Sequence, residues 1–285
     1  MSTKRQQFFA PVKKVRSEEI FPNMNFSDHN DHCIIVDRPD DGGQQVVNFV
    51  SERYGLLENK QFFTELEKQL RANKLRFDTE YKHIDFCKYY ASYKVEGRDL
   101  SIGQTKYMDK IKPMIQIQRS YSSQIGFRLL LGFYRQICSN GMFGLKTTSV
   151  ANLKHTVGNL DKMYQTINTT IQSFLEESKD TIEQFQVAGD RVITNWEDRV
   201  MEVTANTAFP KKSIEQVVNR INFESNQNNL PITDWLIYNG FNYQLNHNEG
   251  IGGSPEAKIK LDKELFKHII DNPFDAKFDR ELVVA

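Results

Sequence analysis

The stretch GFRLLLGFYRQIC, residues 126–138, decides the fold class. Phe127, Leu129, Leu131 and Phe133 fall on one side of an extended chain, and Arg128, Leu130 and Tyr134 on the other. That is the period-two pattern of a strand. Upstream, PMIQIQRSYSS (113–123) alternates less regularly through Met114, Ile115, Ile117 and Tyr121. HIDFCKYYASYKV (83–95) places Ile84, Phe86, Lys88 and Tyr90 at alternate positions. Turn residues at Glu96–Asp99 and Ser122–Gly126 separate the three segments, and links this short predict an antiparallel meander.

Helices flank these strands. VVNFVSERYGLLENKQFFTELEKQLRANK (46–74) carries Phe62, Phe63, Leu66 and Leu70 at the spacing of a buried helical stripe, with Asn59 as its N-cap. Beyond Asn140-Gly141, Leu160, Met163, Tyr164, Ile167, Ile171, Phe174, Leu175 and Ile182 predict a long helix over 159–185. Further helices are predicted over 189–207, over 210–221 starting at Pro210, and over 233–247 capped by Thr233 or Asp234, with a short one near KELFKHII. The expected class is α+β: a three-stranded antiparallel meander between an N-terminal helix and several C-terminal helices. Three parts are expected. Residues 1–45 form a partly irregular arm, strand-like only at FFAPV (8–12) and HCIIV (32–36), 46–247 the core, and 248–285 an extension with a short helix.

Composition narrows the function classes. The 285 residues include 20 Phe, 11 Tyr and 2 Trp, enough apolar material to exclude disorder along the whole chain. Basic and acidic residues number 37 each, so a polybasic, histone-like binder is excluded. Cys33, Cys87 and Cys138 are odd in number and form no CxxC pair, which fits a reducing compartment. The first residues hold no apolar run suited to a signal peptide. The longest apolar stretch, Phe127–Phe133, is far short of the roughly 20 residues a membrane span needs.

The charge is segregated. From Lys82 to Lys162 there are thirteen basic and five acidic residues, a net of about +8, leaving about −8 for the rest. Tyr81, Tyr89, Tyr90, Tyr93, Tyr107, Tyr121 and Tyr134 are interleaved with these cations. Cations that track phosphates, beside aromatic faces that accept unstacked bases, are the equipment of single-strand binders. The alternative is a solvated sheet face neutralised by acidic helices of the same molecule. Other constellations carry less. Asp28-His29-Asn30-Asp31-His32-Cys33 is dense in metal-ligand types but has no second cluster to complete a site, and a polar loop accounts for it. NEGIGGSP (248–255) lacks the Lys-Ser or Lys-Thr of a phosphate loop. Cys138 has no activating neighbour and reads as a small core residue. No catalytic residue, metal or cofactor is expected.

Three short elements resemble the phage/plasmid-like family, a domain of unknown function found in bacteriophages and mobile elements. Ser51, Arg53, Tyr54 and Asn59 match its S-x-R-Y-x-x-x-x-N element, and Cys138, Asn140 and Gly141 its C-x-N-G element, with Arg135 upstream. Lys154-His155-Thr156 stands where the family has R-H-T, which keeps the charge, although a lysine does not offer the bidentate phosphate geometry open to arginine. The resemblance spans roughly residues 46–247. It implies a phage or mobile-element protein in a bacterial host's cytoplasm, and its strand–strand–strand–helix order is similar to the core of Rad52-like annealing proteins. The resulting expectation is a non-catalytic, homo-oligomeric protein that binds and anneals single-stranded DNA. Lys88, Arg119, Arg128, Arg135, Lys154 and His155 are its expected contacts, and Tyr90 and Tyr121 its stacking platforms. Taken by itself, His155 is better read as a hydrogen-bonding residue at a helix entry than as a phosphate or base contact. The alternative is a phage protein that binds a host or virion protein, as a defence inhibitor or an assembly component. Neither reading involves a membrane.

Overall fold

The computed structural model describes residues 4–84, 87–97, 100–102, 109–122, 127–135, 140–142, 151–153, 160–248, 250–253 and 255–272. Along these run α1 (Lys4–Phe8), β1 (Val12–Arg16), α2 (Ser17–Ile20), β2 (His32–Asp37), β3 (Gln44–Val50), α3 (Asn59–Ala72), β4 (Arg76–Ile84), β5 (Lys88–Glu96) and β6 (Leu100–Ile102). There follow β7 (Asp109–Ser120), β8 (Phe127–Arg135), β9 (Asn140–Met142), β10 (Ala151–Leu153), α4 (Leu160–Asp190) and α5 (Trp196–Ala205). A 3-10 turn (Lys211–Ser213), α6 (Ile214–Asn228), α7 (Asp234–His247), α8 (Pro255–Phe266) and a π-helical turn (Lys267–Asp271) complete the order. The class is α+β, with antiparallel strands between an N-terminal helix and a C-terminal set of helices.

Two sheets are present among the described residues. One is a three-stranded antiparallel meander in the order β1-β2-β3. The other has seven strands, in the order β10-β8-β7-β5-β4, with β6 added to β7 and β9 to β8. The strands expected at 83–95, 113–123 and 126–138 are represented by β5, β7 and β8 of the larger sheet, and the first extends backwards into a hairpin with β4. The small sheet draws β1 and β2 from residues 1–45, expected as a partly irregular arm with HCIIV strand-like, and β3 (Gln44–Val50) from across the expected boundary with the core. HCIIVD is its central strand, with Cys33, Ile34, Ile35 and Val36 all buried as a strand covered on both faces requires. FFAPV is not a strand, because the chain is helical to Phe8 and extended only from Val12.

The chain divides into two compact units, and β7, β8 and α4 each run through both. The first comprises Met1–Gly97, Ile115–Leu131 and Ser149–Ser173. Here α3 buries the expected Phe62, Phe63, Leu66 and Leu70. Their rings meet Phe8, Tyr81, Phe127 and Tyr164 at centroid distances of 5.0–6.1 Å. Asn59 is the first helical residue rather than the cap, and its side-chain amide donates to the Phe8 carbonyl at 2.9 Å. At the other end Lys74 adopts φ 59°, and Lys74 and Leu75 donate back to the Arg71 and Leu70 carbonyls. This Schellman motif stops the helix with a lysine where glycine is usual.

The second unit comprises Arg98–Met114, Gly132–Thr148 and Phe174–Ala285. Its centre is α7, buried at ten positions, as a helix enclosed by its neighbours must be. Thr233 caps it by accepting from the Leu236 amide at 3.2 Å. Gly240 lets α6 approach, since a Cβ there would lie 2.6 Å from Ile221 Cγ1. Phe185 gathers Phe133, Trp235, Tyr238 and Phe266 around itself at 4.7–6.4 Å. Charge is buried here too. Arg199 reaches Asp234, Glu202 and the carbonyls of His268 and Asn272, which ties the π-helical turn to α5.

Candidate nucleic-acid interface

Strand β5 alternates cleanly. Tyr89, Ala91, Tyr93 and Val95 are buried, while Lys88, Tyr90, Ser92 and Lys94 are half-buried on the other face. Antiparallel register sets Lys82 opposite Tyr90, Glu80 opposite Ser92, Asp78 opposite Lys94 and Arg76 opposite Glu96, and opposed residues share a face. On β7, Gln116 donates to the Ser92 hydroxyl at 3.4 Å and so continues this face. Arg128 of β8 is half-buried. Burial pushes the Tyr90 phenol up, and the Arg128 charge partly opposes this.

The strip therefore combines Lys82, Lys88, Lys94 and Arg128 with one half-exposed tyrosine ring. It is not purely basic. Asp78, Glu80 and Glu96 share the hairpin face, and Glu80 pairs with Lys82 at 3.0 Å. Nor does the accessible face span the whole sheet, for Gln118, Ser120 and Leu130 at the same alternation are 4%, 1% and 1% exposed. The broad basic platform expected from the charge count contracts to a strip along β4, β5 and the start of β8.

Three expected contacts are corrected by their burial. Arg119 is 1% exposed. Its Nη2 donates to the Leu57 carbonyl, and its guanidinium lies 5.3 Å from the Phe62 ring centroid and 5.1 Å from that of Tyr121. Arg135, also 1% exposed, donates from Nε to Asp109 and makes a two-pronged contact with Glu224 at 2.8 and 3.3 Å. Tyr121 is fully buried. Its hydroxyl accepts from the Asn59 amide at 2.8 Å, satisfying one of the open donors at the start of α3. All three serve the interior. Lys88, Arg128 and Tyr90 retain access to solvent, while Lys154 and His155 lie outside the described residues. Sequence reasoning missed Lys82 and Lys94 as members of the strip. The signal that finds them is the hairpin register, which needs 76–96 to be read as two strands.

His32 Nδ1 pairs with Asp31 at 3.0 Å, and Cys33 is buried in β2 with its thiol pushed up by that burial. Among the described residues no group of three or more His, Cys, Asp or Glu side chains converges on a metal-sized site. None of the described helices is long and apolar enough to cross a membrane. No family model, curated protein or solved structure matches the chain.

Proposed function

We propose that the protein binds single-stranded nucleic acid along the Lys82–Lys88–Tyr90–Arg128 strip and acts without catalysis, as an annealing protein of a phage or mobile element in a bacterial cytoplasm. The observation that carries this reading is a half-exposed tyrosine between cations on a rigid sheet face. Cations there track the backbone, and the ring offers a sequence-tolerant stacking surface. Annealing further requires several copies to present strands side by side, so the reading includes a homo-oligomer. The test is a gel shift of an oligo-dT strand at low salt. Lys88→Ala/Arg128→Ala weakens binding and reduces the slope of log affinity against log salt by about 1.4, the value for two phosphate contacts on a single strand. Tyr90→Ala costs about 1–3 kcal/mol of binding. No binding at low salt, or an unchanged slope in the double variant, overturns the proposal.

A protein-binding role is favoured by a different observation. Ile20, Met24 and Phe49 are 40%, 58% and 43% exposed. Phe21 and Phe26 each lie 5.8 Å from Phe49, forming an apolar cluster on the small sheet. Phe49→Lys that abolishes stoichiometric co-purification of a host or virion protein, with oligo-dT binding unchanged, would establish this second role.

A further inference from the structure

Three clefts lie along α3 in the first unit, and their chemistry differs. One of about 500 Å³ is lined in part by Glu58, Lys60, Glu65 and Tyr164. A second of about 500 Å³ includes Arg5, Glu67, Arg71, Asp78 and Glu80. Both mix the two signs of charge, and their carboxylates are largely occupied: Glu65 pairs with Lys68 at 3.4 Å, Glu67 with Arg71 at 3.3 Å and Glu80 with Lys82 at 3.0 Å. The third, about 730 Å³, is lined by Arg5, Phe9, Pro11, Pro39, Lys60 and Thr64 together with one glutamine, and among the described residues its lining holds no carboxylate. Among the described residues neither Arg5 nor Lys60 has an ion-pair partner. Each also borders one of the mixed clefts, but two cations that share a cleft and are not held in ion pairs attract an anion.

The walls of this cleft are well anchored. The buried Asn59–Phe8 hydrogen bond fastens the end of α1 to the start of α3, and the Phe8 ring packs 5.0 Å from Phe63. The Pro11 carbonyl accepts from the Asp37 amide at 2.9 Å, holding the segment before β1 against the end of β2. Lys60 and Thr64 are one turn apart on α3, so an ammonium and a hydroxyl donor share one face. Lys60 sits in the first turn, where the helix end is positive, and Glu58 at the N-cap makes no side-chain cap. Phe9, Pro11 and Pro39 supply the apolar part of the lining, with Arg5 over the Phe9 ring at 6.0 Å from the centroid. The volume lies within the roughly 300–1,000 Å³ usual for small-molecule sites.

We propose that this cleft binds a nucleotide, with its phosphate between Lys60 and Arg5 and its base against Phe9, Pro11 and Pro39. A ligand with one anionic end and one flat, weakly polar end satisfies both parts of the lining, whereas a bare inorganic anion leaves the apolar part unused. The site lies on the α3 side of the sheet, the side opposite Tyr90, and does not depend on the strand-binding reading. The nucleotide comes either from free nucleoside phosphates or from a nucleic-acid strand, and the phosphate and base chemistry is shared.

The experiment is calorimetric titration of the full chain with ATP, with dTMP and with inorganic phosphate, repeated in the presence of oligo-dT. Saturable binding of ATP or dTMP is expected, with inorganic phosphate a weak competitor. Lys60→Glu and Arg5→Glu should each weaken it at least about tenfold, the loss of one charge-assisted hydrogen bond. Lys68→Glu, on the same helix but outside the cleft, should leave it unchanged. Displacement of nucleotide by oligo-dT assigns the site to the residues of a strand, and undisturbed nucleotide binding assigns it to free nucleotides. Absence of saturable binding up to about 1 mM, the weak end of specific recognition, overturns the proposal. So does binding unaffected by Lys60→Glu in protein with an unchanged circular dichroism spectrum. Retained oligo-dT binding in the same samples would leave the strand-binding reading standing.

Discussion

Replacing Arg135 by methionine would test whether this arginine serves the interior or a ligand. Its guanidinium bridges two carboxylates that are themselves buried, Asp109 at 4% and Glu224 at 2% exposure. Without it, Asp109 Oδ2 keeps the Trp235 indole donor at 2.9 Å, and Glu224 keeps Arg220 at 2.8 Å. One negative charge is thereby left in the core with a neutral donor as its only compensation among the described residues. Removing one partner of a buried ion pair costs about 3–5 kcal/mol, or about two to four decades in the unfolding constant. Lysine at this position restores the charge but not the two-pronged geometry, so most of the loss should persist. Both tryptophans, Trp196 and Trp235, belong to the second unit, and Trp235 touches this network directly. Urea unfolding followed by tryptophan fluorescence therefore reports on the relevant unit. A loss below about 1 kcal/mol in Arg135→Met would refute the argument, because surface charges behave that way. Unchanged stability combined with lost oligo-dT binding would return Arg135 to the list of strand contacts.

Other consequences are as direct. Gly240→Ala places a Cβ 2.6 Å from Ile221 Cγ1 between α6 and α7, and the overpacking should cost about 1–3 kcal/mol in the same urea assay. At high pH the buried tyrosines control stability. Burial pushes Tyr121 up to about 12, with Arg119 drawing it back. The folded state therefore keeps a proton that the unfolded chain loses near pH 10, and stability falls as pH rises from about 10 to about 12. Tyr121 alone contributes a loss of about 2–3 kcal/mol across that window, and Tyr121→Phe should flatten the slope measured by chemical unfolding at stepped pH.

Legibility varied with how local the signal was. The α3 stripe is complete within one segment, and all four predicted apolar residues are buried. Thr233 likewise caps α7 through an amide only three residues on. The expected strand 83–95 runs across the turn between β4 and β5 and leaves out most of β4, because 76–96 contains neither glycine nor proline to mark that turn. The small sheet was missed for a related reason. Strand β1 is VKKVR, three cations in five residues, and it acquires strand character only from pairing with β2. At the candidate strip, the residue types were visible from the start, but their grouping depends on the register that places Lys82 opposite Tyr90.

Sequence alone determined the α+β class, the principal helical stripe and the uneven charge, about +8 in one segment against about −8 elsewhere. These follow from periodicity and composition, which are properties of neighbours along the chain. Only the tertiary structure decided which of those charges face solvent. Arg135 finds Glu224 across 89 residues of sequence, and Arg119 finds the Leu57 carbonyl across 62. Arg135 is buried where two distant carboxylates converge on it, as the cost of an unpaired core charge requires, whereas Arg119 is held by one carbonyl and two aromatic faces, with Nε and Nη1 unpartnered among the described residues. Residue type sets the charge, and long-range packing sets whether that charge is spent inside the protein or remains available to a ligand.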